Sequence, residues 1–346
     1  MKLIVRQWVI EVASQTPGFL GAFFHGSINW LAEEDCLPST SDVDVMIVLD
    51  GPTPPEKLGK LLYRGVIIEA SYLPAEQIHS ADQVLGLSHL AGSLQTDSII
   101  ADPTGRLRRV QAEISKDYAK REWVTRRCEQ ALRKVQRHLE GLNEAVPFQT
   151  GLFHDQVTPW LFGTGVTTHI LLVAGLKNPT VRKRYLAVRE LLAEYGREDF
   201  YPPLLELLGC ARMSQAQAEQ HLAGLETVFD AAQAVIRTPF SFAADISQLA
   251  RPVVIDGSRE LIKRGDQREA VFWMAVTYSR CQQVLTQDGP PGMAERYDPA
   301  YRALVADLGI RSFADLQQRS QQVREMLPRI WEVAQAIMAA NPEIIN

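Results

Sequence analysis

Asp42 and Asp44 stand two residues apart at the head of the apolar run Val45-Met46-Ile47-Val48-Leu49, and fourteen residues separate them from Gly26-Ser27. On a strand, an i, i+2 pair points to one face, with Cβ atoms about 6–7 Å apart. Carboxylates held that way suit Mg²⁺, a hard cation that keeps water and substrate phosphates in its remaining positions. A Gly-Ser turn offers backbone N–H groups and a hydroxyl to phosphate oxygens. Together these residues have the chemistry to handle a metal-bound nucleoside triphosphate; the alternative is a strand edge carrying two solvated acids. The apolar run favours the first reading, because an acid at the mouth of a buried strand must be paired or metal-bound.

Three strands must position these groups. Phe19-Leu20-Gly21-Ala22-Phe23-Phe24-His25 reads as a buried strand ending at Gly26, and residues 43–49 read as a second. Residues 65–73 form a third strand pattern with one acid, Glu69, in its middle. Buried alone, that carboxylate costs several kcal/mol, so it requires a metal, a cation or water unless it faces solvent at an edge.

The run His25-Gly26-Ser27, then fourteen residues, then Asp42-Val43-Asp44-Val45-Met46-Ile47-Val48 resembles the signature of the DNA polymerase beta superfamily of nucleotidyltransferases. That superfamily includes the aminoglycoside and lincosamide nucleotidyltransferases, poly(A)- and CCA-adding enzymes, and minimal nucleotidyltransferases of toxin–antitoxin systems. The resemblance is close over residues 19–49, with an intervening loop slightly longer than the family's usual spacer. It implies an α+β fold: a small mixed sheet with helices, followed by an all-α helical bundle. It also implies a third acid beside the first two, which makes Glu69 either a metal ligand or the general base for the incoming hydroxyl. Asp42 and Asp44 would then hold one or two Mg²⁺ ions, with Gly26 and Ser27 cradling the β- and γ-phosphates of ATP or another NTP. The implied reaction moves a nucleoside monophosphate, AMP above all, to a hydroxyl and releases pyrophosphate. In the aminoglycoside-type enzymes a helical-domain lysine reaches the nucleotide phosphates, and Lys183 or Arg182 is the equivalent the resemblance suggests.

Organisation along the chain fits a boundary near residue 110, with a catalytic domain over 1–110 and a helical domain over 111–346. Residues 1–15 predict an amphipathic helix, 55–63 a short helical stretch, 75–93 a helix and 97–101 a last short strand. Asp102-Pro103-Thr104-Gly105 is a turn signal. Beyond it helical patterns fill 106–145, 156–176, 181–195, 202–209, 214–236, 267–286 and 313–340, punctuated by Pro and Gly clusters such as 146–151. Thr180 is placed to cap a helix whose first turns carry Arg182, Lys183 and Arg184. Cations there oppose the helix dipole, which an external anion would explain. Arg126, Arg133, Lys134 and Arg137 share a helical face that, with Glu129 and Glu140 interleaved, reads as a solvated one. Asp155, between His154 and Trp160, is either an acceptor-binding acid or simply an acid near a helix N-terminus. His25 and His169 read as packing or hydrogen-bonded residues.

The 346 residues are 46% hydrophobic and 22% charged, the balance of a soluble protein of about two domains. No run approaches the uncharged apolar length a membrane span requires. Cys36, Cys128, Cys210 and Cys281 are widely spaced and read as free thiols of a reducing cytoplasm. Residues 1–110 carry 8 Lys/Arg against 13 Asp/Glu, whereas 111–346 carries 28 of each. An acidic catalytic half favours a metal ion and a cationic acceptor over a polyanion. The expectation is therefore a cytoplasmic transferase, monomer or homodimer, with an aminoglycoside-like small-molecule acceptor and no nucleic-acid or membrane partner. The alternatives are modification of a protein or RNA partner, and a nucleotide-binding regulator that has lost catalysis.

Overall fold

The two apolar runs around Gly26 form adjacent strands because their side chains can be buried only inside a sheet. In the computed structural model, which describes residues 1–31, 38, 40–51, 58–142 and 152–346, β1 (Phe19–His25), β2 (Val43–Leu49), β3 (Gly59–Tyr63), β4 (Val66–Pro74) and β5 (Ile99–Ala101) make one sheet in the order β3-β4-β2-β1-β5. The β2–β4 pair is parallel and the other three pairs are antiparallel, so the sheet is mixed. Val43, Val45, Ile47, Ile68 and Ala70 are buried on one face, where they pack with Val5, Trp8 and Val9 of α1 (Lys2–Glu11). Burying each such aliphatic side chain contributes about 1.5–3 kcal/mol. That preference holds the period-2 register and turns the intervening residues of β2 and β4 to the opposite face.

β3 corrects the helical reading of 55–63. Residues 52–57 lie outside the described residues, and from Gly59 the chain is extended. Arg64 and Gly65 both adopt positive φ, 47° and 81°, the signature of a two-residue type I′ hairpin turn. That turn ties Gly59–Tyr63 antiparallel to β4. A short apolar run such as Leu61-Leu62 fits a helix or a strand equally well, and the turn decides between them. Residues 75–93 are likewise not one helix: a 3₁₀ turn precedes the short α2 (Ala81–Leu85, capped by Ser80) and α3 (Ala91–Leu94).

The helical pattern from 106 divides into α4 (Arg106–Asp117) and α5 (Arg121–Glu140). It continues as α6 (Phe153–Ala174), α7 (Arg184–Glu194), α8 (Tyr201–Leu208), α9 (Gln215–Val235), α10 (Gly257–Lys263), α11 (Gln267–Asp288), α12 (Met293–Asp307) and α13 (Phe313–Ala340). α10 and α12 fall outside the helical stretches expected from the sequence, although Tyr301, Leu304, Val305 and Leu308 at the end of α12 are buried at i, i+3, i+4, i+7 spacing. The chain divides into two compact units: Met1–Gln130 with Leu176–Asn178 and Asn341–Asn346, and Ala131–Gly175 with Pro179–Ala340. The first unit holds the whole sheet. The second is helical, built around α6, against which α7, α11 and α13 pack. Cys36 and the cluster 146–151 lie outside the described residues; Cys128, Cys210 and Cys281 are buried free thiols.

α6 also corrects the expectation about membrane spans. Among the described residues it is one helix long and apolar enough to cross a bilayer, but 78% of its most apolar window is buried inside the protein. Its apolar surface is used as the core of a bundle.

Candidate metal centre

Register brings the sequence-predicted acids together. Asp44 pairs with His25 of β1 on one side and Glu69 of β4 on the other, and Glu69 pairs with Lys60 of β3. Directly opposed residues share a face, so His25, Asp44, Glu69 and Lys60 form a row across four strands. Asp42, one residue before β2, joins the row by the period of two. One oxygen from each of Asp42, Asp44 and Glu69 lies within 4.8 Å of the others, and all three residues are half-buried. Oxygens on one octahedral Mg²⁺, bound at about 2.0–2.1 Å, stand at most about 4.2 Å apart. The spacing is slightly wider than one ion needs, and three hard carboxylates are the right donor chemistry. Asp42, Asp44 and Glu69 therefore fit a divalent cation.

Lys60 was not legible as a site residue while its segment read as a helix. Its ammonium forms ion pairs with both Asp42 and Glu69, and its side chain is only 4% exposed. The signal was nonetheless present. Counting outward from the two-residue turn at Arg64-Gly65 pairs 63 with 66, 62 with 67, 61 with 68, and so Lys60 with Glu69. The ammonium supplies positive charge to a carboxylate cluster that would otherwise repel itself strongly.

Gly26 has φ of 67°, and a Cβ added there would lie 2.4 Å from Oδ2 of Asp44. Only glycine allows the turn backbone to approach the carboxylate this closely. Ser27 follows, exposed, in the 3₁₀ turn Gly26–Trp30, which Asn29 fastens by donating from Nδ2 to the Phe24 carbonyl at 2.9 Å. We expect Gly26→Ala to cost about 1–3 kcal/mol from the left-handed backbone alone and to displace Asp44. Thermal denaturation and Mg²⁺ titration of the variant should show a lower Tm together with weakened metal binding.

His25 is hydrogen-bonded through Nδ1 to Ser93 Oγ at 2.8 Å. Burial, reinforced by His89 and opposed by Glu69, lowers its pKa to about 4, so the imidazole is neutral near pH 7. It braces the end of β1 beside Asp44, in keeping with its reading as a hydrogen-bonded residue.

Arg182, Lys183 and Asp155 belong to the second unit. The expected Thr180 cap is not formed. α7 starts at Arg184 with Lys183 as its N-cap residue, and the Thr180 carbonyl accepts a hydrogen bond from His169 Nε2 at 3.0 Å. The turn from 181 to 183 separates Thr180 from the helix. Burial and then the repulsion of Arg182 and Arg264 lower the Lys183 pKa. Asp155 lies in the first turn of α6, half-exposed, 3.6 Å from His154 Nε2. An acid there is favoured by the helix dipole whatever else it does.

No family model matches the chain, and no curated protein matches it at a significant level.

Proposed function

We propose that this protein is a metal-dependent nucleotidyltransferase of the DNA polymerase beta type, with residues 1–110 as its catalytic domain. The observation that carries the reading is the convergence of Asp42, Asp44 and Glu69 on one sheet face, directly against the Gly26 turn. Asp42 and Asp44 hold Mg²⁺, which when bound neutralises the charge of the triphosphate in the transition state. Gly26 and Ser27 receive the β- and γ-phosphates of ATP. Glu69 completes the metal shell or takes the proton of the acceptor hydroxyl. The acceptor oxygen bonds to the α-phosphorus, the bond to the pyrophosphate oxygen breaks, and AMP stays on the acceptor. The acidic catalytic half supports a cationic small molecule of aminoglycoside type in the cytoplasm.

The test is pyrophosphate release from labelled ATP across a panel of aminoglycosides, lincosamides and related hydroxyl compounds. We expect release that needs both an acceptor and Mg²⁺, and that EDTA lowers at least 100-fold. Absence of metal-dependent nucleotide binding would overturn the reading. Labelling of a protein or RNA in cell lysate, with no small acceptor labelled, would transfer the same chemistry to a macromolecular substrate.

A further inference from the structure

Lys60 engages carboxylate oxygens that a second metal ion would need. It stands on β3, the edge strand of the sheet, in register with Glu69 of β4. From there its ammonium donates to Oε2 of Glu69 and, beyond β4, to Oδ2 of Asp42 at the head of β2. The side chain is buried, so it is packed in place between the two acids and is not a surface cation swinging past them. Those two carboxylates are what offsets the desolvation of its charge. A lysine ammonium is a compact point charge, which lets it sit where a small inorganic cation could.

Two-ion centres hold their metals about 3.5–4 Å apart, clamping the attacking and the leaving oxygen together. A carboxylate that bridges such a pair offers one oxygen to each ion. Asp42 gives Oδ2 and Glu69 gives Oε2 to Lys60, so neither has both to offer while the ammonium stays. Asp44 remains, and its Oδ2 lies against the Gly26 turn, 2.4 Å from where a Cβ on that residue would stand. Charge leads to the same result. Three carboxylates meet here with oxygens within 4.8 Å of one another, and their three formal negative charges are matched by one divalent ion and one ammonium. A second divalent ion beside the first would leave the cluster with two positive charges in excess, and like charges this close repel strongly in a half-buried site.

We propose that Lys60 stands in for a second metal ion, so that Asp42, Asp44 and Glu69 together bind a single divalent cation. Lys60 is a positioning residue: it acts on the metal through the two carboxylates it holds, and it sets how many ions the centre accepts. The inference rests on the metal-dependent reading above and narrows it from one or two ions to one.

The experiment is titration of the full-length protein with Mn²⁺, which takes the same oxygen ligands as Mg²⁺, in the absence of nucleotide. Electron paramagnetic resonance counts the bound ions and detects coupling between neighbours. Wild-type protein should bind one Mn²⁺ per chain with the spectrum of an isolated ion. Lys60→Met should bind a second ion at least tenfold more tightly than the wild type does, and the pair should show spin–spin coupling. Lys60→Arg keeps the charge and should keep the single ion, which separates loss of the cation from loss of packing. A coupled pair on the wild type overturns the proposal, and that count decides the matter even if Lys60→Met does not fold. One isolated ion on folded Lys60→Met overturns it as well. Both of those outcomes leave the metal centre standing. Absence of any bound Mn²⁺ on the wild type overturns the centre itself and the nucleotidyltransferase reading with it, so the two failures are distinguishable.

Discussion

Asp44→Asn should abolish Mg²⁺-dependent nucleotide transfer, by about 10³-fold or more, without unfolding the protein. Asp44 is the centre of the row, opposed by His25 and Glu69 and abutted by Gly26. Asparagine keeps its shape but removes the charge that a divalent cation needs, and loss of a group that stabilises transition-state charge typically costs 10²–10³-fold even when it is one hydrogen-bond donor. Metal-free stability should be unchanged or slightly higher, because three carboxylate oxygens within 4.8 Å of one another repel in the absence of metal. Thermal denaturation separates the two effects. Wild-type protein at a hundredfold excess of Mg²⁺ over its dissociation constant gains about 2.7 kcal/mol, and Asp44→Asn should gain almost none. An unchanged metal-induced shift in the variant would remove Asp44 from the metal site.

Lys60→Met should act in the opposite sense on the metal-free protein. The buried ammonium pairs with Asp42 and Glu69, whose side chains are 17% and 14% exposed. Methionine fills the space of the aliphatic stem but leaves two neighbouring carboxylates without that partner. Breaking a buried ion pair from one side costs about 3–5 kcal/mol, so denaturation in EDTA should show a loss near the lower end of that range, since these carboxylates retain some solvent. Mg²⁺ should recover most of the loss, and the metal-induced shift should exceed that of the wild type. If EDTA and Mg²⁺ give equal losses, Lys60 is a structural partner only and does not share its carboxylates with a metal.

Much of this site was legible because its signals are local. The uninterrupted apolar runs at 19–25 and 43–49 have no means of burial other than adjacent strands, and the period of two then puts Asp42 and Asp44 on the same face. Glu69 stood out as the single acid in an apolar strand, though its neighbours did not. Lys60 escaped because a five-residue strand carries too little periodicity to distinguish it from a helix. Its partner follows only from the hairpin turn, whose positive φ values at Arg64 and Gly65 are a conformational fact.

The basic run Arg182-Lys183-Arg184 shows where local pattern ends. Composition and spacing establish that three cations stand together at a helix start, that an acid pair heads a buried strand, and that a Gly-Ser turn precedes it. Which cation goes inside is decided by distant parts of the chain: Gly165 of α6 leaves the space and Phe272 of α11 supplies the aromatic face, so Arg184 is buried and Lys183 is left at the cap. Side-chain direction at a strand is set by a two-residue period and can be counted. The depth of a side chain in a helical bundle is set by the volumes of residues about 20 and 90 positions away, and only their packing together reveals it.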